Sequence, residues 1–227
     1  PDFTREEYAT MIRKLPSWIN QGKAGKPTDM RHLMRDYVLI LANTGMRHGT
    51  EALNLRWKHI TLFEENGLQY LEMSVRGKTG RRDIICRSGT INYLKRIHER
   101  SDDIKHMSFE QLIKDRVDLP VFRLPDGTVS KNLHQTFRAF LTETGLIKCP
   151  RTGQNRTLYS LRHTYATFSL LNDGMDIHAL AIQMGTSIGM IERHYSHLTP
   201  RLKKEMLTGK RYEQSRLEYE EEQGAEP

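Results

Sequence analysis

Cysteine is almost absent. The 227 residues hold two, Cys86 and Cys149, far apart and without metal-type spacing. A disulfide framework is thereby excluded, and two reduced thiols in a cytoplasmic protein are expected. No apolar run approaches the length of a membrane span, and no basic-then-apolar leader opens the chain, so neither insertion in a membrane nor export is indicated. Internal repeats are missing too. What is present is a globular composition, 37% hydrophobic and 28% charged, in a chain long enough for one large domain.

The charge is uneven. The net is +7, yet the stretch from Glu213 to Pro227 holds six acids and a single base, Arg216. Taking these from the 35 basic and 28 acidic residues leaves 34 against 22, an excess of 12 in the body of the chain. Such an excess favours a polyanionic partner, because neutralising phosphates releases their counterions. The acidic end is expected to shield the basic surface until such a partner displaces it.

Helical signals dominate the pattern. Thr4, followed by Glu6 and Glu7, reads as the cap of a short first helix. Apolar residues at Met30, Leu33, Met34, Tyr37, Val38 and Leu41 mark a second, with Asp29 as its cap and Gly45 as its stop. A further helix is expected from Thr50. "LQYLEMSV" and "RDIICR" flank "RGKTGR" and read as a β-hairpin. Helical spacing returns at "GTINYLKRIHER", and "DLPVFRLPDGTVS" reads as a loop. In the last third, Leu161, Tyr165, Phe168 and Leu171 line one helix face, and Asp176 and Ser187 open two short helices. The fold class is mainly α with a small antiparallel β-sheet, an α+β arrangement. Residues 1–28 form an N-terminal helix and linker, 29–200 the main domain, and 201–227 a polar tail.

Three side chains stand out on this scaffold. Arg47 follows a glycine at a turn, Arg162 is expected in the first turn of its helix, and Tyr195 closes the last helix before Pro200. Guanidinium groups fork onto phosphate oxygens, and helix N-termini add N–H donors, so two such arginines can converge on one anion. Each also has a plain explanation: Arg47 could pair with Glu51 a turn later, Arg162 could lie on the surface, and Tyr195 could be a core ring.

Together, from Leu41 to about Pro200, these stretches resemble the catalytic domain of the tyrosine recombinases, the phage-integrase family. "TGMRHGTEALNLRWKHI" is similar to that family's first arginine box and "RGKTGRRDI" to its hairpin lysine segment. "YSLRHTYATFSLLNDGMDIHALAIQMGTSIGMIERHYSHL" resembles its second arginine box running through to the nucleophile. The resemblance implies site-specific DNA recombination, with integration or excision of mobile DNA through a 3′-phosphotyrosine. Tyr195 becomes the nucleophile, Arg47 and Arg162 the clamp on the scissile phosphate, and Lys78 the proton donor to the leaving 5′ oxygen. A free tyrosine has a pKa of about 10, so nearby cations are needed both to activate it and to stabilise a five-coordinate phosphorus. No cofactor and no metal is expected.

Two positions depart from the family pattern. The histidine usual three residues before the second arginine is Tyr159, and Thr186 replaces the last residue of the "LGH" triplet. A neutral phenol is a poor base at pH 7, but both hydroxyls can donate to a phosphate oxygen. His163 and His194 are candidates for proton transfer, and His197 echoes a family "Y-x-H". Arg76, Arg81 and Arg82 on the hairpin are candidates for contacts to DNA. The resemblance further implies double-stranded DNA as partner, a homo-tetramer on it, and a separate helical core-binding domain before this segment, which residues 1–28 are too few to supply. Leu202, Met206 and Leu217 would pack the tail on a neighbour. A cytoplasmic, nucleoid-associated location follows if the source is bacterial. A non-cutting DNA-binding relative, a topoisomerase-like relaxing enzyme and a helix-turn-helix regulator are the rivals.

Overall fold

The computed structural model describes residues 1–77, 80–130, 133–195 and 207–208. The chain divides into two compact units: Pro1–Ala166 with Gln183–Gly185, and Thr167–Ile182 with the described residues from Thr186 on.

The first unit begins with α1 (Arg5–Asn20), closed by a reciprocal capping box in which the Thr4 hydroxyl accepts from Glu7 N–H and the Glu7 carboxylate accepts from Thr4 N–H. Met11, Leu15, Trp18 and Ile19 recur at helical spacing and enter the core. The α2 helix (Lys26–Thr44) starts earlier than expected. Its cap is Gly25, at φ 88°, not Asp29. Pro27 explains the difference, since it needs no N–H in the first turn and its fixed φ suits a helix start. Asp29 sits inside that turn, where a carboxylate favours the positive helix end. Gly45 does stop the helix, in the left-handed conformation at φ 66°.

No helix starts at Thr50. Residues 48–54 form turns instead, followed by a short 3-10 segment, Trp57–His59. A side chain supplies the reason: the Glu51 carboxylate, buried, accepts from Arg47 N–H at 2.7 Å and closes the turn itself. The sheet has three antiparallel strands in the order β1 (Ile60–Glu65), β2 (Leu68–Gly77), β3 (Gly80–Ile85). The β2–β3 hairpin is the expected one. The first strand was not expected, although Asn66 and Gly67, both at positive φ (52° and 74°), make the two-residue turn that joins it to β2. Leu71, Met73, Val75 and Ile84 turn one face of the sheet into the core.

Helices α3 (Thr90–Glu99), α4 (Phe109–Lys114) and α5 (Leu133–Glu143) follow, around Tyr37, Trp57, Phe122, Phe137 and Phe140. The α6 helix (Leu158–Leu171) crosses from the first unit into the second. Leu161 and Tyr165 are buried as expected, but Leu171 is 37% exposed and falls outside the stripe. Then come α7 (Ile177–Met184) and α8 (Ile188–Tyr195). Asp176 accepts from the N–H groups of His178 and Ala179, and Ser187 from that of Met190, which opens both helices as the sequence indicates. The architecture is mainly helical with one small antiparallel sheet. Among the described residues no helix is long and apolar enough to cross a membrane. Leu202, Met206 and Leu217 lie outside the described residues.

Candidate active site

Glu51 organises a cluster of charge in the first unit. Its side chain is fully buried and three groups hold it. Arg47 gives its backbone N–H and, through Nη1, a 2.5 Å ion pair. Arg82 places Nη1 and Nη2 on the two carboxylate oxygens at 2.6 and 2.8 Å. Burial alone would push the carboxyl pKa up, but the Arg82 hydrogen bonds, the Arg47 N–H, the Arg82 charge and the Arg47 side-chain hydrogen bond outweigh it and leave the value at about 2. The packing is tight. A Cβ on Gly77 would lie 2.6 Å from Glu51 Oε1, and one on Gly185, itself at φ 61°, would lie 2.7 Å from the Arg82 guanidinium.

Arg162 completes the cluster by a different route. It lies in the second turn of α6 rather than the first, and is only 4% exposed. Nη1 donates to the C-cap carbonyl of α2, Gly45 O, and Nη2 to the last carbonyl of α7, Met184 O, at 2.6 Å. Arg47 Nη2 donates to the next carbonyl, Gly185 O, at 2.5 Å. The two arginines therefore hang from successive carbonyls and share one place. Helix N-termini were expected there; helix C-termini supply the anchors instead, because their carbonyls lack internal partners and carry the negative end of the dipole. Burial, followed by the neighbouring Arg47 charge, pushes the Arg162 pKa down to about 10, still well above neutrality.

Among the described residues no carboxylate ion-pairs with Arg162. Three guanidinium groups thus face one carboxylate, an excess of two positive charges in a largely buried place. Fixed donors with spare charge suit an oxyanion, and the forked geometry suits a phosphate.

Tyr159 is 49% exposed, one turn of α6 before Arg162, and its ring meets the His163 ring edge-on at 5.0 Å. Of the hairpin arginines, Arg82 turns inward, donating to both Glu51 oxygens and to the Gln183 carbonyl. Arg76 and Arg81 are exposed across from each other on β2 and β3. They line a groove of about 890 Å³ with Lys58, His59, Asp83 and Arg116. Lys78 and His197 lie outside the described residues.

Thr186 and Tyr195 belong to the second unit. Thr186 N–H donates to Ala181 O at 3.0 Å, just past the end of α7. Tyr195 is the last residue of α8 and is 7% exposed, its ring 6.3 Å from that of His194. Among the described residues no three His, Cys, Asp or Glu side chains gather as a metal site.

The model of the phage integrase family matches residues 3–201. The chain belongs to the phage integrase family. No curated protein matches it. Among solved structures, this phage-integrase chain is similar to the XerH site-specific recombinase bound to difH substrate in a pre-cleavage complex, with a TM-score of 0.57 and 22% identity over 86% of this chain and 50% of that one. XerA recombinase gives 0.56, at 22% identity over 93% and 65%. A Tn1549 transposon integrase in complex with transposon right end DNA gives 0.52, at 19% over 85% and 60%. The chain spans about half the length of the XerH chain it matches. At these identities the likeness is one of fold. Tyrosine-based site-specific recombination is the activity of the family as a whole.

Proposed function

We propose that this chain is the catalytic part of a site-specific DNA recombinase that breaks and rejoins strands through Tyr195. One observation carries the reading: Arg47 and Arg162, 115 positions apart in the sequence, hang from adjacent carbonyls with an excess of positive charge and, among the described residues, no second carboxylate to neutralise it. A buried charge without a counterion is costly and is retained where function needs it. The scissile phosphodiester supplies one negative charge, and the second develops as phosphorus becomes five-coordinate.

In this reading the Tyr195 hydroxyl gives up its proton to solvent and its oxygen attacks phosphorus, while Arg47 and Arg162 hold the non-bridging oxygens and the negative charge that builds on them. The bond to the 5′ oxygen breaks, Lys78 protonates that oxygen, and a 3′-phosphotyrosine remains. The aryl ester conserves the energy of the phosphodiester, so a 5′ hydroxyl from another strand reverses the step without ATP. Tyr159 and Thr186 donate hydrogen bonds to the phosphate from positions where the family usually has other residues, and His163 and His197 support them. Arg76 and Arg81 meet the DNA backbone along the hairpin. Residues 29–200 form the catalytic domain, residues 1–28 lead into it, and 201–227 reach a neighbour in a tetramer on double-stranded DNA, with a core-binding domain contributed by further chain.

A nicked suicide duplex carrying the target site tests the proposal. An active enzyme leaves a covalent protein–DNA band on a denaturing gel, in EDTA as well as without it, and Tyr195→Phe leaves none. A Tyr195→Phe variant that traps as much DNA as the parent sinks the assignment. Tyr159 at the usual histidine position favours one rival, a relative that binds DNA without cutting; there the parent itself yields no covalent band while retaining affinity.

A further inference from the structure

The α2 and α3 helices carry a second excess of guanidinium charge. Asp36, in the middle of α2, is fully buried, and three arginines converge on it. Arg35 Nε and Nη2 reach its two oxygens at 3.0 Å each, and Arg96 Nε and Nη2 both reach Oδ1, at 2.8 and 2.5 Å. Arg100 Nη2 takes Oδ2. Arg96 and Arg100 stand four apart at the end of α3, hence on one face.

Five hydrogen bonds saturate this carboxylate, which has about four lone-pair sites. Fixing α3 to α2 would need one arginine; among the described residues the other two positive charges have no further carboxylate paired with them. Each guanidinium keeps donors outside the cluster, Nη1 on all three and Nε on Arg100 as well. Their side chains are 18%, 34% and 26% exposed, so those donors can reach solvent. The Tyr93 ring lies under Arg96 at 4.9 Å and covers one side of it. One turn before Asp36, His32 Nδ1 is buried without a hydrogen-bond partner. Asp29, the next acid along α2, acts on His32 but pairs with none of the three arginines.

We propose that Arg35, Arg96 and Arg100 form a phosphate-binding site, distinct from the cluster at Arg47 and Arg162. A phosphate dianion brings the three arginines and Asp36 to neutrality, and a phosphodiester halves the excess. Asp36 and Gly45 are nine residues apart on α2, roughly 13 Å at 1.5 Å per residue, so the site lies well clear of the Arg162 anchor. The ligand chemistry is the tetrahedral oxyanion. Its source is either free phosphate or the backbone of bound DNA, and the two separate by experiment.

The full chain is titrated with inorganic phosphate against chloride at equal ionic strength, reading the arginine Nε–Hε NMR signals. It is also titrated with a non-specific duplex across a range of salt. Arg96→Gln leaves Arg35 and Arg100 on Asp36; Arg100→Gln serves if Arg96→Gln does not fold. Saturable shifts of the three arginine signals by phosphate, weakened tenfold or more in the variant, support the site and assign it to free phosphate. A fall of about one in the slope of log affinity against log salt, in the variant alone, supports it and assigns it to DNA. Phosphate behaving like chloride or binding equally in the variant, together with an unchanged DNA slope, overturns the proposal.

Discussion

Replacing Glu51 by Gln tests the organisation of the site most directly. The carboxylate holds Arg47 through two donors and Arg82 through two more. A fall in pKa from 4.5 to about 2 corresponds to about 3 kcal/mol of stability, at 1.36 kcal/mol per unit. Removing one partner of a buried charge pair costs about 3 to 5 kcal/mol, which agrees. Glu51→Gln is therefore expected to lose about 3 kcal/mol at pH 6, a drop in Tm of roughly 6 to 12 °C for a chain of this size. Because the folded pKa is depressed, the stabilisation is complete above pH 4.5 and fades as pH falls toward 2. The gap between parent and variant in urea unfolding should narrow over that window. The suicide-substrate trapping rate should fall at least tenfold, since Arg47 loses its anchor, while Arg82→Gln, which leaves Arg47 paired, falls less. A stability difference under about 0.5 kcal/mol at pH 6, the level of an ordinary surface substitution, would refute the reasoning. So would a difference constant from pH 6 to pH 3.

Three further outcomes are expected. Arg162→Lys cannot span Gly45 O and Met184 O with one ammonium, so covalent trapping should fall about a hundredfold or more with the fold retained by circular dichroism. Gly45→Ala brings a Cβ to 2.4 Å from the Tyr165 ring at φ 66°, whereas Gly49→Ala, at φ 92°, meets nothing within 4 Å; chemical denaturation should show the first less stable than the second by about 1 to 3 kcal/mol. Tyr37→Phe removes the hydrogen bond to His48 Nδ1 at 2.9 Å and should cost about 1 kcal/mol at pH 7.5. Burial, and then the nearby His134, hold the His48 pKa below 6.5, so its neutral form stabilises the fold above that pH. Stability should decline as pH falls below 6.5, and a His48→Gln variant should show a flatter profile.

Local chemistry was the legible part. The Thr4–Glu7 box, the Gly45 stop, the β2–β3 hairpin and the Asp176 and Ser187 caps all depend on residues within a turn of one another, and each could be read directly. The β1 strand was equally local but was masked by the helix expected from Thr50. The Arg47–Glu51 spacing was visible as a plain ion pair; what it lacked was Arg82, 31 positions on, which makes the pair a hub. That Arg82 would turn onto Glu51 and Gln183 O could not be read from the hairpin, because these partners meet only in the folded chain. The anchors of Arg162 were illegible for the same reason, being backbone carbonyls 117 and 22 residues away that no side-chain pattern announces.

The way Arg162 is held has a kinetic corollary. An arginine tethered by a carboxylate must shed that competitor, or share with it, before it can grip an incoming anion. Peptide carbonyls carry no proton to gain near neutral pH and no formal charge to expel, so this guanidinium stays aimed, with its charge uncancelled by them, from mildly acidic to mildly alkaline solution. Its readiness is set by helix ends, which titration does not touch.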